Sequence, residues 1–172
     1  MRIRDKEFRM KHVRVRVHTP ALLLRWMREA VPFLLKREIP RRAIRRTRGR
    51  PGEEHGEIGM ICQFVGDIEG EMTLLASRET AFALASAFFP GHETDDEIHL
   101  LKHSLGELTT VLMSKLLARC KEYYNVLRVT TPSCIFGGNL DIRPAGEGTS
   151  ATAFTTPFGR IDIIVSLRSP AS

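Results

Sequence analysis

The stretch HSLGELTTVL, residues 103–112, decides how the rest of the chain is read. Placed at 100° per residue, it belongs to a helix with two unlike sides. Leu101, Leu105, Leu108, Leu112 and Leu116 gather on one side. His99, His103, Glu107, Thr110 and Ser114 gather on the other. The spacing predicts a helix from a start near Thr94 and Glu97, which stand at capping-box distance, to about Tyr123. At 1.5 Å per residue that is about 40 Å. So long a leucine face needs a large apolar surface to lie on, and the flanking sequence shows what supplies it.

On the N-terminal side, IGMICQFVGDIEGEMTLLAS (58–77) has two apolar runs around GDIEG, a hairpin whose glycines permit the reversal. SRETAFALASAFF (77–89) is a short helix with Ser77 as N-cap, and PGHETDDE (90–97) separates it from the long one. On the C-terminal side come three strand candidates, RVTTPSCIF (128–136), TSATAFTT (149–156) and RIDIIVSL (160–167). GGN (137–139) and PFG (157–159) read as turns between them. Nearer the start, Val13, Val15 and Val17 have the two-residue period of an exposed strand. A helix at 20–36 begins after Thr19 with Pro20 in its first position, and Pro32 should kink it. RGRPGEEHGE (48–57) reads as a loop. This order predicts an α+β fold, an antiparallel sheet with helices packed on one face, one of them long. Residues 1–50 form a basic segment including the first helix. Residues 51–172 form the α+β domain, to which the helix at 20–36 is expected to belong.

The chain has 172 residues, 42% hydrophobic, enough for one core. No apolar run is long enough to span a bilayer, and the charged N-terminus lacks a signal peptide's apolar region, so the expected location is the cytoplasm. Cys62, Cys120 and Cys134 form no C-x-x-C pair, which argues against a disulfide framework. The net charge of +6 hides an asymmetry: residues 1–50 hold 17 of the 26 Lys and Arg but 4 of the 20 Asp and Glu. The peak is KREIPRRAIRRTRGR (36–50), where Arg41, Arg42, Arg45 and Arg46 can steer an anionic or acidic partner, or simply lie solvated. No aromatic residue interleaves with them, so bases have no stacking platform and nucleic acid is not the expected partner. The R-x-x-x-R spacing in RRAIR fits half of a cyclic-di-GMP-binding pattern whose other half is missing.

Glu107 and Thr110, three residues apart, project together from the polar side of the long helix. That side can be a solvated face, a metal site or a partner surface. For metal, His99, His103 and Glu107 are spaced along one stripe, but a straight helix rarely converges three ligands, and HLLKH lacks the glutamate of a metalloprotease helix. The expectation is no metal site. No P-loop, dinucleotide fingerprint or nucleophile elbow is present.

SLGELTTVLMSKLLARC (104–120) resembles the signature helix of the CheX/CheC/FliY chemotaxis phosphatase family. GDIEGEMTLLAS, TPSCIFGGN and TPFGRIDIIVSL are similar to its hairpin, its strand after the long helix and its last hairpin. The likeness spans about residues 57–168, and a single signature helix brings the chain nearest to CheX. The resemblance implies docking on CheY-type receiver domains phosphorylated on aspartate, and hydrolysis of that phosphate in two-component signalling. In the family a glutamate of the helix pairs with the receiver's lysine, and an asparagine three residues later orients the attacking water. The receiver supplies Mg2+, and the phosphatase needs no cofactor of its own. Relatives dimerise through sheet edges, so a homodimer is implied as well.

Glu107 matches the family glutamate, Thr110 stands at the asparagine, and His103 stands where an acidic residue or serine is usual. Thr110 is shorter than asparagine, and a misplacement of about 1 Å can cost on the order of a hundredfold. The resemblance therefore implies Glu107 and Thr110 at the reaction, with His103, Ser114 and the four arginines toward the partner. The activity implied is either weak phosphatase action or, with the amide lost, that of a non-enzymatic adaptor binding through its basic half.

Overall fold

A computed structural model describes Arg25, Trp26, Glu29, Val31 and residues 45–47, 56–89, 96–120, 126–142 and 148–168. The strand expected at 13–17, the cap at Thr19 and Pro20, the kink at Pro32 and the residues Arg41, Arg42 and Thr94 lie outside the described residues. Seven strands form one antiparallel sheet: β1 (Arg45–Thr47), β2 (Gly56–Gly66), β3 (Glu69–Ala76), β4 (Val126–Val129), β5 (Ser133–Leu140), β6 (Gly148–Thr156) and β7 (Gly159–Arg168). The order is β1-β6-β7-β3-β2, and β4 and β5 follow one another along the outer edge of β2. Two described helices, α1 (Arg78–Phe88) and α2 (Glu97–Cys120), pack on one face of it. The α+β expectation is met.

Alternation builds the helix-covered face. Ile58, Met60, Cys62 and Phe64 of β2 point inward, opposite Ala76, Leu74, Met72 and Gly70 of β3. Ile161, Ile163 and Val165 of β7 and Phe154 of β6 extend that surface. Leu101, Leu105, Leu108, Leu112 and Leu116 of α2 are all buried against it. Each buried leucine contributes about 1.5–3 kcal/mol, so this face, more than helix propensity, holds α2 in place. Val31 joins the same core and Trp26 packs at its margin. The opposite face is buried too. Leu75 and Ile164 lie there with Thr73, Ser166 and Asp162. Arg160 holds the Asp162 carboxylate through Nε at 2.9 Å and Nη2 at 2.7 Å. A Cβ on Gly59 would stand 2.8 Å from Ile142 Cδ1 and 3.8 Å from Leu75 Cδ1, so the missing side chain lets these apolar groups meet over β2.

The helix starts follow from their caps. Ser77 Oγ accepts from the Thr80 N–H at 3.1 Å, as expected of an N-cap. Glu57 accepts from the Arg78 N–H at 2.9 Å, placing a carboxylate at the positive end of α1. For α2 the described cap is Asp96, whose Oδ1 accepts from the His99 N–H at 3.1 Å. The described part of α2 ends at Cys120, and 121–125 lie outside it.

Four expectations need correction. The β2–β3 reversal uses Asp67 and Ile68, and both flanking glycines lie in strands. Gly70 is needed for space: a Cβ there would collide with the Ser166 carbonyl and come within 2.7 Å of Phe64. GGN is no turn, because Gly137, Gly138 and Asn139 lie inside β5. Between the pairs Ile58↔Phe136 and Gly56↔Leu140, β5 runs two residues longer than β2. The glycines take up that bulge. The single strand read over 128–136 is broken, since at Thr130 the side-chain hydroxyl accepts from the Gln63 N–H at 2.9 Å. Pro132, with no N–H to donate, follows. Finally, the loop read over 48–57 stops short of Gly56, where β2 begins.

The PFG turn stands. Gly159 has φ 131° and Thr156 Oγ1 accepts from the Phe158 N–H at 3.1 Å. A Cβ at Gly159 would strike Thr80 in the first turn of α1. Gly159→Ala therefore forces both a strained backbone and a clash, and should destabilise by about 1–3 kcal/mol. A urea midpoint equal to that of the wild type would show that the turn relaxes freely.

Candidate functional site

The leucine face fixes α2 on β2 and β5, and its other side faces outward. His99, His103, Glu107, Thr110 and Ser114 are all exposed there. Glu107 and Thr110 share one patch, and the neighbouring Thr109 is fully buried. The two hydroxyls of the stripe are turned inward. Thr110 Oγ1 donates to the Gly106 carbonyl at 2.8 Å, and Ser114 Oγ donates to the Thr110 carbonyl at 2.8 Å. These are the bonds to the preceding turn that Ser and Thr make in helices. The His103 ring stacks on Phe89 with centroids 6.3 Å apart. Phe89 is the C-cap of α1, so the short helix braces the stripe from one side.

Sequence reading passed over Val111, which is 39% exposed one turn beyond Glu107. The same helical wheel places it on the flank of the stripe. It also passed over Lys102, whose Nζ lies 5.9 Å from the centroid of Phe136. Only the pairing of β5 with β2, under α2, brings that contact about.

Arg45 and Arg46 lie in a strand far from the stripe in the sheet order. Arg45 and Arg46 pair with Thr155 and Phe154 in β1, at the far edge of the sheet from β4 and β5. Four strand spacings, about 19 Å, separate β1 from β2. Contact between a partner and both surfaces requires a partner wide enough to span them.

Among the described residues, no group of three His, Cys, Asp or Glu side chains is arranged to hold a metal. Burial pushes the Cys62 thiol above its ordinary range, partly offset by its hydrogen bond to Thr130. Burial does the same to Cys134, partly offset by Lys102. Neither is an activated thiolate. No described helix is long and apolar enough to cross a membrane.

The family model described as chemotaxis phosphatase CheX matches residues 58–158, more than half of the chain. The chain belongs to the CheX family. No curated protein matches it. Among solved structures, the chemotaxis protein CheX from Desulfovibrio desulfuricans is similar at TM-score 0.71 and 20% identity, over 85% of this chain and 99% of that one. A chain of the CheX–CheY–BeF3–Mg2+ complex from Borrelia burgdorferi is similar at TM-score 0.68 and 20% identity, over 85% and 97%. A chemotactic CheC-like protein from Shewanella oneidensis is similar at TM-score 0.67 and 14% identity, over 90% and 99%. At these identities the likeness is one of fold.

Proposed function

We propose that the protein docks on phosphorylated receiver domains of the CheY type through the exposed face of α2. Glu107 pairs with a cation of the receiver, and Thr110 lies at the phosphoryl group. His103 and Ser114 flank the contact. The observation that carries this reading is the placement of Glu107: an exposed carboxylate on a helix whose opposite side is locked into the core. A rigid helix can present a charge without losing backbone freedom on binding. The Borrelia burgdorferi chain of like fold is in a complex with CheY, BeF3 and Mg2+, which supports the choice of partner. The metal belongs to the receiver in this reading, and the chain brings no cofactor.

Efficient hydrolysis asks more of the patch than docking does. Phosphoryl transfer needs a water held in line and its charge balanced. An asparagine amide has a donor and an acceptor for this, whereas the only proton of Thr110 Oγ1 already bonds Gly106. The committed hydroxyl favours the adaptor reading over an efficient phosphatase. Titration with a CheY-type receiver tests the docking: binding should be tighter when BeF3 and Mg2+ occupy the receiver than when they do not. In this reading a second copy of the chain would pair along the outer edge of β5, where Ile135 and Phe136 are 39% and 42% exposed.

The arginine run steers rather than anchors in this proposal. Exchanging Arg41, Arg42, Arg45 and Arg46 for glutamate should slow association by about tenfold at low salt and leave dissociation nearly unchanged. The difference should fade as salt shortens the screening length. An association rate indifferent to both salt and charge reversal would return this run to a solvated role.

A further inference from the structure

The patch around Thr110 turns no hydroxyl proton outward. Thr110 Oγ1 gives its proton to the Gly106 carbonyl at 2.8 Å. Ser114 Oγ gives its proton to the Thr110 carbonyl at the same distance. What Thr110 offers outward is a methyl group and a remaining lone pair. Gly106 adds no side chain beside it, and Val111 adds an exposed isopropyl group. Between Glu107 and Ser114, then, the helix surface is small, smooth and partly apolar, and neither hydroxyl turns its proton outward.

We infer that the protein acts as a shield, lengthening the life of the aspartyl phosphate on the receiver it docks to. This rests on the docking reading above. In the reaction that is suppressed, the oxygen of a water forms a bond to phosphorus as the bond from phosphorus to the aspartate oxygen breaks. The carboxylate leaves with the electron pair, and the water's protons pass to phosphate and solvent. Water is the only co-reactant. A helix pressed on the phosphoryl group removes bulk water from it. With no amide to hold one molecule in line, closure takes away the reactant and supplies nothing in return. A partner that carries the amide would speed the same step from the same position. The exchange of one side chain therefore changes the sign of the effect, and the docked receiver stays active for longer.

The test follows decay of the phosphate on a CheY-type receiver loaded with acetyl phosphate and freed of excess donor. Saturation is set beforehand by titration with the same receiver carrying BeF3 and Mg2+. At saturating protein the half-life should rise by about three- to tenfold over the receiver alone, a barrier increase within about 1.4 kcal/mol. Glu107→Ala should bring it back to the value of the receiver alone. Binding of the BeF3 form with an unchanged or shortened half-life would overturn the shield and leave the docking reading standing. No binding of that form would overturn both.

Discussion

Thr110→Asn is expected to raise the rate of receiver dephosphorylation by roughly ten- to a hundredfold over the wild-type protein, about 1.4–2.8 kcal/mol of orientation. The substitution lies on the exposed side of α2, where changes usually alter stability by less than about 0.5 kcal/mol. It also removes a hydroxyl that bonds its own helix, so no buried group is left without a partner. The amide reaches one bond further and carries both a donor and an acceptor. Decay of the phosphorylated receiver, measured with both proteins at equal concentration, reads the effect. Wild-type decay already as fast as the variant's would mean that Thr110 suffices. No gain with binding intact would mean that the rest of the stripe no longer presents position 110 to the phosphate.

Glu107→Ala should weaken binding of the activated receiver by about 2–5 kcal/mol, roughly thirtyfold or more. Much of that loss is the cost of leaving the partner's cation desolvated and unpaired, since truncation removes only one member of the pair. The fold should be untouched, because Glu107 is exposed and lies outside the core. Calorimetric titration separates the effects: a lost enthalpy of binding with an unaltered melting curve marks an interface residue. Full affinity in the variant would remove Glu107 from the contact.

The parts of this molecule that were legible in the sequence are those fixed by local period. The leucines of α2 fall at helical spacing and all five are buried. Ile58, Met60, Cys62 and Phe64 alternate and all four face the core. Ser77 caps α1, and the PFG turn closes on a left-handed Gly159. What escaped depends on pairing between distant segments. Gly137–Asn139 have the composition of a turn, and only the register of β5 on β2 makes them a bulge. Thr130 breaks its strand because Gln63, 67 residues away, bonds its hydroxyl. Burial of Leu75 and Ile164 on the second face could not be read from a strand that is apolar on both sides.

The candidate site divides in the same way. The exposed stripe with Glu107, Thr110, His103 and Ser114 follows from 100° per residue, and all four are exposed on α2. The internal bond of Thr110 is a local event that its sequence position in a helix already favours. The separation of Arg45 and Arg46 from the stripe is not local. It comes from a strand order that puts β1 at one edge of the sheet and α2 over β2 and β5. The stripe and β1 therefore lie at separate places on the sheet.

The central claim is that the outward side of α2 is the docking surface. Backbone amide resonances of the protein, followed by NMR as receiver carrying BeF3 and Mg2+ is added, test it most directly. Shifts should concentrate at His103, Glu107, Thr110, Val111 and Ser114, and should be far smaller when the receiver lacks BeF3. Shifts confined to β5 or to β1, with α2 unmoved, would contradict it.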